Sequence, residues 1–166
     1  MSRLSNRGKS LQDLLDSVCV QYRRAGIANI NPVPVPYKRI GVARANQWVG
    51  VYAGKSTVDY VGITRSGHAL AFDAKATELK TRVDLAESHF PSHQREFLNW
   101  YDQAGHLAFL VVEFKALREI YRIPIRPVLH YLSEGHASLP LTIVRTCGVQ
   151  LGSGRGVLLD ILAGIE

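Results

Sequence analysis

A chain of 166 residues with 46% hydrophobic content is long enough for one well-buried core and too short for two ordinary domains, so a single domain over residues 1–166 is expected. Twenty Lys and Arg against fourteen Asp and Glu leave a formal charge of +6, which favours a polyanionic partner without naming it. No apolar run approaches the roughly 20 residues that span a bilayer, and Cys19 and Cys147 lack CxxC spacing or a secretory signal, so no membrane association and two reduced thiols in the cytoplasm are expected.

Residues 1–7 are polar and basic and read as a flexible arm carrying Arg7. Ser10-Leu11-Gln12-Asp13 is a capping-box signature. It opens a helix in which Leu11, Leu14, Leu15, Val18 and Tyr22 recur at helical spacing, ending near Gly26. At 100° per residue Gln12 lies on the flank of that stripe and Asp13 points nearly opposite; only Gln12 is placed to reach a site beneath the helix.

Residues 27–30 read as an edge strand, after which Pro32-Val33-Pro34-Val35-Pro36 must run extended. Residues 37–46 carry Lys38, Arg39 and Arg44 among small residues before a strand at 48–52. A basic segment between two strands suits insertion into nucleic acid, and a solvated loop explains the composition equally well.

Residues 57–63 read as a short strand, Ser66-Gly67 as a turn and residues 68–75 as the returning strand of a hairpin. Alternation puts Asp73 and Lys75 on one face, and pairing brings Asp59 close to Asp73. Two such carboxylates repel unless a divalent cation keeps both ionised, and a cation such as Mg²⁺ also acidifies a bound water, which the Lys75 ammonium can hold. That is a minimal kit for hydrolysing a phosphodiester of DNA or RNA. The competing reading is an exposed ion pair worth about 0–1 kcal/mol.

Residues 76–89 are polar and mixed in charge and read as a loop. Ser92 is expected to cap a second helix through about Gln103, with Phe97, Leu98 and Tyr101 inward and Gly105 as its stop. Gln94 falls in its first turn, where free N–H groups favour a phosphate. Residues 106–114 and 119–123 read as paired strands, and residues 126–133 and 157–163 as short helices. Six histidines fit no metal-ligand spacing, because Pro91 separates His89 from His93. The order indicates an α/β fold with a mixed central sheet flanked by helices.

Asn6-Arg7-Gly8, Pro32-Val33-Pro34 before the basic segment, residues 56–62, Ala71-Phe72-Asp73-Ala74-Lys75 and Phe90 followed by His93-Gln94 together resemble the RecU-type Holliday junction resolvases of the PD-(D/E)xK nuclease superfamily. The resemblance runs from about residue 6 to 114 and is weaker beyond. It implies a restriction-endonuclease-like core with a protruding basic stalk at about 37–46. It implies Asp59, Asp73 and the Ala74 carbonyl as ligands of Mg²⁺, with Mn²⁺ as a substitute, and Lys75 acting on the water or phosphate. Gln94 and Thr57 are implied in or beside the site, and Arg7, Lys38, Arg39 and Arg44 as DNA contacts. The substrate implied is a four-way DNA junction in recombination and repair, cut by a homodimer with a possible recombinase partner. At the position where the family usually carries a helical Glu, this chain has the uncharged Gln12. Another duplex-cutting nuclease of the superfamily, or a catalytically silent branched-DNA-binding module, are the alternatives.

Overall fold

The computed structural model describes residues 10–44, 47–54 and 56–165. Helix α1 (Leu11–Arg24) begins as its sequence dictates: Ser10 Oγ accepts from the Asp13 N–H, and Asp13 reaches back to the Ser10 N–H. Its apolar stripe is buried, and Gly26, at φ 66°, turns the chain into the sheet in a conformation that suits glycine.

Strands β1 (Ala28–Pro32), β4 (Tyr60–Thr64), β5 (Ala69–Thr77), β7 (Leu107–Phe114), β8 (Glu119–Pro124) and β10 (Val149–Gln150) form one sheet in the order β1-β4-β5-β7-β8-β10. Only the β5–β7 pair is parallel. The sheet is therefore mixed, and its fold class is the α/β one expected. Gly62 lets β1 close on β4, because a side chain there would run into the Asn29 carbonyl at 2.4 Å.

Two cores cover the two faces. Leu70, Phe72, Phe109 and Val111 pack with α1 and with Val157, Leu159, Ile161 and Leu162. Ala71, Leu110 and Val112 pack on the other side with Phe90, Leu98 of α2 (Ser92–Gln103), Val128 of α3 (Ile125–Ser133) and Val144 of α4 (Leu141–Cys147). Asp73 alternates with Phe72, so it faces the α2 side.

Several expectations are corrected. The described part of the basic segment is itself a strand and not a segment between strands or a loop: β2 (Tyr37–Arg44) pairs with β3 (Gln47–Tyr52) as a separate two-stranded ribbon outside the main sheet, and residues 45 and 46 lie outside what the structure describes. Residues 57–59 precede β4 instead of belonging to it. The stretch 76–89 is not all loop, since β5 continues to Thr77 and β6 (Arg82–Asp84) pairs with β9 (Ser138–Pro140). Pro91, not Ser92, is the N-cap of α2, and Ser92 instead gives its N–H to Glu87.

Residues 157–163 form a bridge, bends and a turn, not a helix. Their backbone donors have tertiary partners: the Asp160 N–H goes to the Gly152 carbonyl and the Leu162 N–H to the Tyr22 hydroxyl. Sequence reading missed α4, β9 and β10.

Candidate active site

The site forms where β4 parts from β5. The β1–β4 register sets Pro32 against Tyr60, and the Val33 N–H still reaches the Asp59 carbonyl at 2.8 Å. Pro32–Tyr60 is the last paired step of the ladder, and residues 56–59 lie outside any strand. Across from it, β5 runs on, and the Ala74 N–H is met by a side chain: Asp59 Oδ2 accepts it at 2.9 Å. A carboxylate thus replaces a strand neighbour and is fixed beside Asp73.

Asp73 is fully buried, yet neither of its oxygens has a hydrogen bond among the described residues. The Lys75 ammonium stands 2.5 Å from Oδ2 as an ion pair. Burial first, and the Asp59 charge second, push the Asp73 carboxyl up from 3.8 to about 6, against the pull of Lys75. A buried carboxylate left short of partners is costly unless something else completes it.

Lys75 is itself held. Its ammonium lies 5.3 Å from the centroid of the buried Phe90 ring and 3.5 Å from Gln94 Oε1 on the first turn of α2. Arg95 braces that turn from behind by donating to the Phe90 and Leu85 carbonyls. Next to Gln94, His93 Nε2 lies 3.0 Å from the Ser56 carbonyl and ties α2 to the segment leading into Asp59.

Asp59, Asp73, Ala74, Lys75 and Gln94 are therefore brought together. The first turn of α2 is less open to an anion than its sequence suggests: Ser92 donates to Glu87, and the Gln94 N–H goes to the Pro91 carbonyl. Thr57 is exposed and has no hydrogen bond among the described residues. The Gln12 side chain is exposed on α1, and its backbone carbonyl lies 3.3 Å from the Tyr60 hydroxyl. Lys38 and Arg39 are exposed on β2. Arg7 and the Arg44 side chain lie outside what the structure describes.

Residues that sequence reasoning gave no role are Phe90, His93 and Tyr60. Tyr60 stacks on Phe72, which stacks on Phe109, and donates to Asp16 Oδ1 at 2.7 Å, anchoring the start of β4 to α1. The signal for Phe90 and His93 was their nearness to Gln94 in the chain. A cleft of about 430 Å³ lined by Gly26, Ile27, Thr64, Arg65 and Leu162 lies at the opposite end of β4 and contains no carboxylate.

The donor set fits a hard cation. Asp73 offers two buried oxygens without a hydrogen bond, one of them ion-paired with Lys75, next to a second, fixed carboxylate. No group of three or more His, Cys, Asp or Glu side chains forms a cage among the described residues. Mg²⁺ suits such a half-built site, because it usually takes one or two carboxylates and keeps places for waters and substrate phosphates.

The family model of Recombination protein U (RecU) matches residues 6–166. The chain belongs to the RecU family. A Holliday junction resolvase RecU of Streptococcus equi subsp. zooepidemicus is 30% identical over 95% of this chain and 82% of its own length. The Streptococcus suis protein of the same name is 28% identical over 98% and 81%. Among solved structures, Archaeoglobus fulgidus Hjc, a Holliday junction resolvase, aligns over 83% of this chain and 93% of its own at 15% identity and a TM-score of 0.48. In this RecU-family chain the match extends through the C-terminal segment that sequence motifs left weak.

Proposed function

We propose that this chain is a metal-dependent endonuclease that resolves four-way DNA junctions by phosphodiester hydrolysis. The observation that carries the reading is the buried, unsatisfied Asp73 carboxylate beside Asp59 and Lys75, in a chain whose relatives are named Holliday junction resolvases.

Nucleases of this kind depend on a metal; the ion proposed here is Mg²⁺, with Mn²⁺ as a substitute. When bound, it would supply a Lewis acid for the phosphate and acidify a water. Asp59 and Asp73 would hold it, with the Ala74 carbonyl. Lys75, steadied by Phe90 and Gln94, would face the added charge on the phosphate and orient the attacking water. Gln12 and Thr57 contribute at most through waters, given their exposure.

Resolution needs two nicks in strands of like polarity on a two-fold symmetric substrate, and each chain carries one such site. A C₂ homodimer supplies both. The β2–β3 ribbon, with Lys38, Arg39 and Arg44, is the stalk of a single nuclease domain. Together with Arg7 it reads phosphate positions, so selectivity comes from shape and not from base edges. No helix among the described residues is long and apolar enough to cross a membrane; action on DNA in the cytoplasm is part of the proposal.

The test incubates the protein with an immobile four-way junction and a matched duplex, with and without Mg²⁺. Paired, symmetric, Mg²⁺-dependent nicks in the junction are expected. Equal cutting of duplex would point to another nuclease of the superfamily, and tight junction binding without cutting in Mg²⁺ or Mn²⁺ to a silent binding module.

A further inference from the structure

The segment that delivers Asp59 has an unusual attachment. Residues 56–59 lie outside any strand, so no ladder holds them. Among the described residues their tethers are the Val33 N–H on the Asp59 carbonyl, the Ala74 N–H of β5 on Asp59 Oδ2, the buried Val58 side chain, a local bond from Ser56 Oγ to the Val58 carbonyl, and His93 Nε2 on the Ser56 carbonyl at 3.0 Å. The first comes from β1, and only the last comes from α2, whose next residue, Gln94, meets Lys75.

We propose that His93 is a positioning residue: its Nε2–H, donated to the Ser56 carbonyl, sets the Asp59 segment against α2, so that Asp59, on one element, and Lys75 with Gln94, on two others, share one geometry. A carbonyl oxygen only accepts, so the imidazole must carry its hydrogen on Nε2. His93 touches neither carboxylate and does not act on the reacting atoms. The inference rests on the nuclease reading for its consequence but not for its contact. The Asp59 carboxylate holds the Ala74 N–H only while residues 56–59 stay in place, so that amide reports the latch directly. A displacement of about 1 Å in such a constellation is enough to lower a rate by about 10²-fold.

The experiment compares His93→Ala, His93→Phe and His93→Gln with the parent chain. Glutamine restores an N–H donor on a side chain of similar reach, and phenylalanine keeps the ring without a donor. Two readouts are independent of cutting: amide hydrogen exchange at Val58, Asp59 and Ala74, and Mn²⁺ affinity by calorimetry. A third is single-turnover cleavage of the junction at saturating DNA.

The Ala and Phe variants should exchange the Ala74 amide at least about tenfold faster, bind Mn²⁺ several-fold more weakly and cut about tenfold or more slowly, with junction affinity in metal-free buffer unchanged. His93→Gln should recover most of each loss. Parental exchange and Mn²⁺ affinity in His93→Ala would overturn the proposal, as would loss in all three variants together with a lowered melting temperature, which marks a residue needed only for folding. If the parent chain does not cut junctions at all, the nuclease reading fails while the exchange data still decide the latch.

Discussion

Two carboxylates are buried among the described residues, and they are treated in opposite ways. Asp160, only 5% exposed, accepts from the Tyr22 hydroxyl at 2.6 Å and from the Arg155 guanidinium at 2.8 and 2.7 Å, and its neighbourhood also receives the Leu162 N–H. Burial alone would push its carboxyl up, but the hydrogen bonds from Arg155 and Tyr22 hold it below the ordinary value. Asp73, fully buried, has only the ion pair with Lys75 and the repulsion of Asp59, and is pushed up to about 6. One carboxylate is finished by the chain and locks the C-terminal segment onto α1. The other has no hydrogen bond among the described residues and one ion pair, which is why we propose it as a metal ligand. Burial is common to both acids; what separates them is how many of their oxygens are hydrogen-bonded.

Substitutions at the two positions should break the molecule in different ways. Asp73→Asn should lower junction cleavage by about 10³-fold or more while leaving junction affinity intact, since it removes the proposed metal ligand and not the surface. Retained Mg²⁺-dependent cutting, followed on labelled junctions, would undo the contrast. Asp160→Asn should leave cleavage within a few-fold well below its melting point but cost on the order of 2–3 kcal/mol of stability, read by chemical denaturation, because it leaves Arg155 and Tyr22 without their acceptor.

Tyr22→Phe sharpens the same point more gently. It removes the hydroxyl that donates to Asp160 and accepts from the Leu162 N–H, at an expected cost of about 1–2 kcal/mol by denaturation and none in cleavage. A loss of cutting at full folding would mean that the two regions are coupled.

The pH dependence of stability should also divide them, and this effect is the smallest. A carboxyl with a raised folded pKa contributes stability that is full below its ordinary value of 3.8 and is lost as pH rises through about 6. In metal-free buffer Asp73→Asn should therefore melt a few degrees above the parent at pH 7–8, and the gap should shrink as pH falls from 6 to 4. Asp160 works with the other sign: its contribution is present above the ordinary carboxylate value and is lost as pH falls through its lowered one. The gap between Asp160→Asn and the parent should persist at pH 5 and close only in stronger acid. Melting curves of both variants across pH 4–8 would expose a wrong sign in either.

Much of this protein is legible in the order of its residues. Local chemistry determined the capped first helix, the extended proline run, the hairpin that carries Asp73 and Lys75 on one face, and the paired strands 107–114 and 119–124, because caps, prolines and alternation act within a few residues. The RecU motifs in order were enough to name the family. Tertiary structure alone decided the rest. It started β4 only at Tyr60 and so left Asp59 ahead of the strand, turned residues 157–163 away from a helix by giving their N–H groups to Gly152 and Tyr22, and made a ribbon of the basic segment by pairing it with β3. Which of two buried acids stays unsatisfied is likewise fixed by partners far apart in the chain, and no window of sequence contains Asp160 and Tyr22, or Asp59, Lys75 and His93, together.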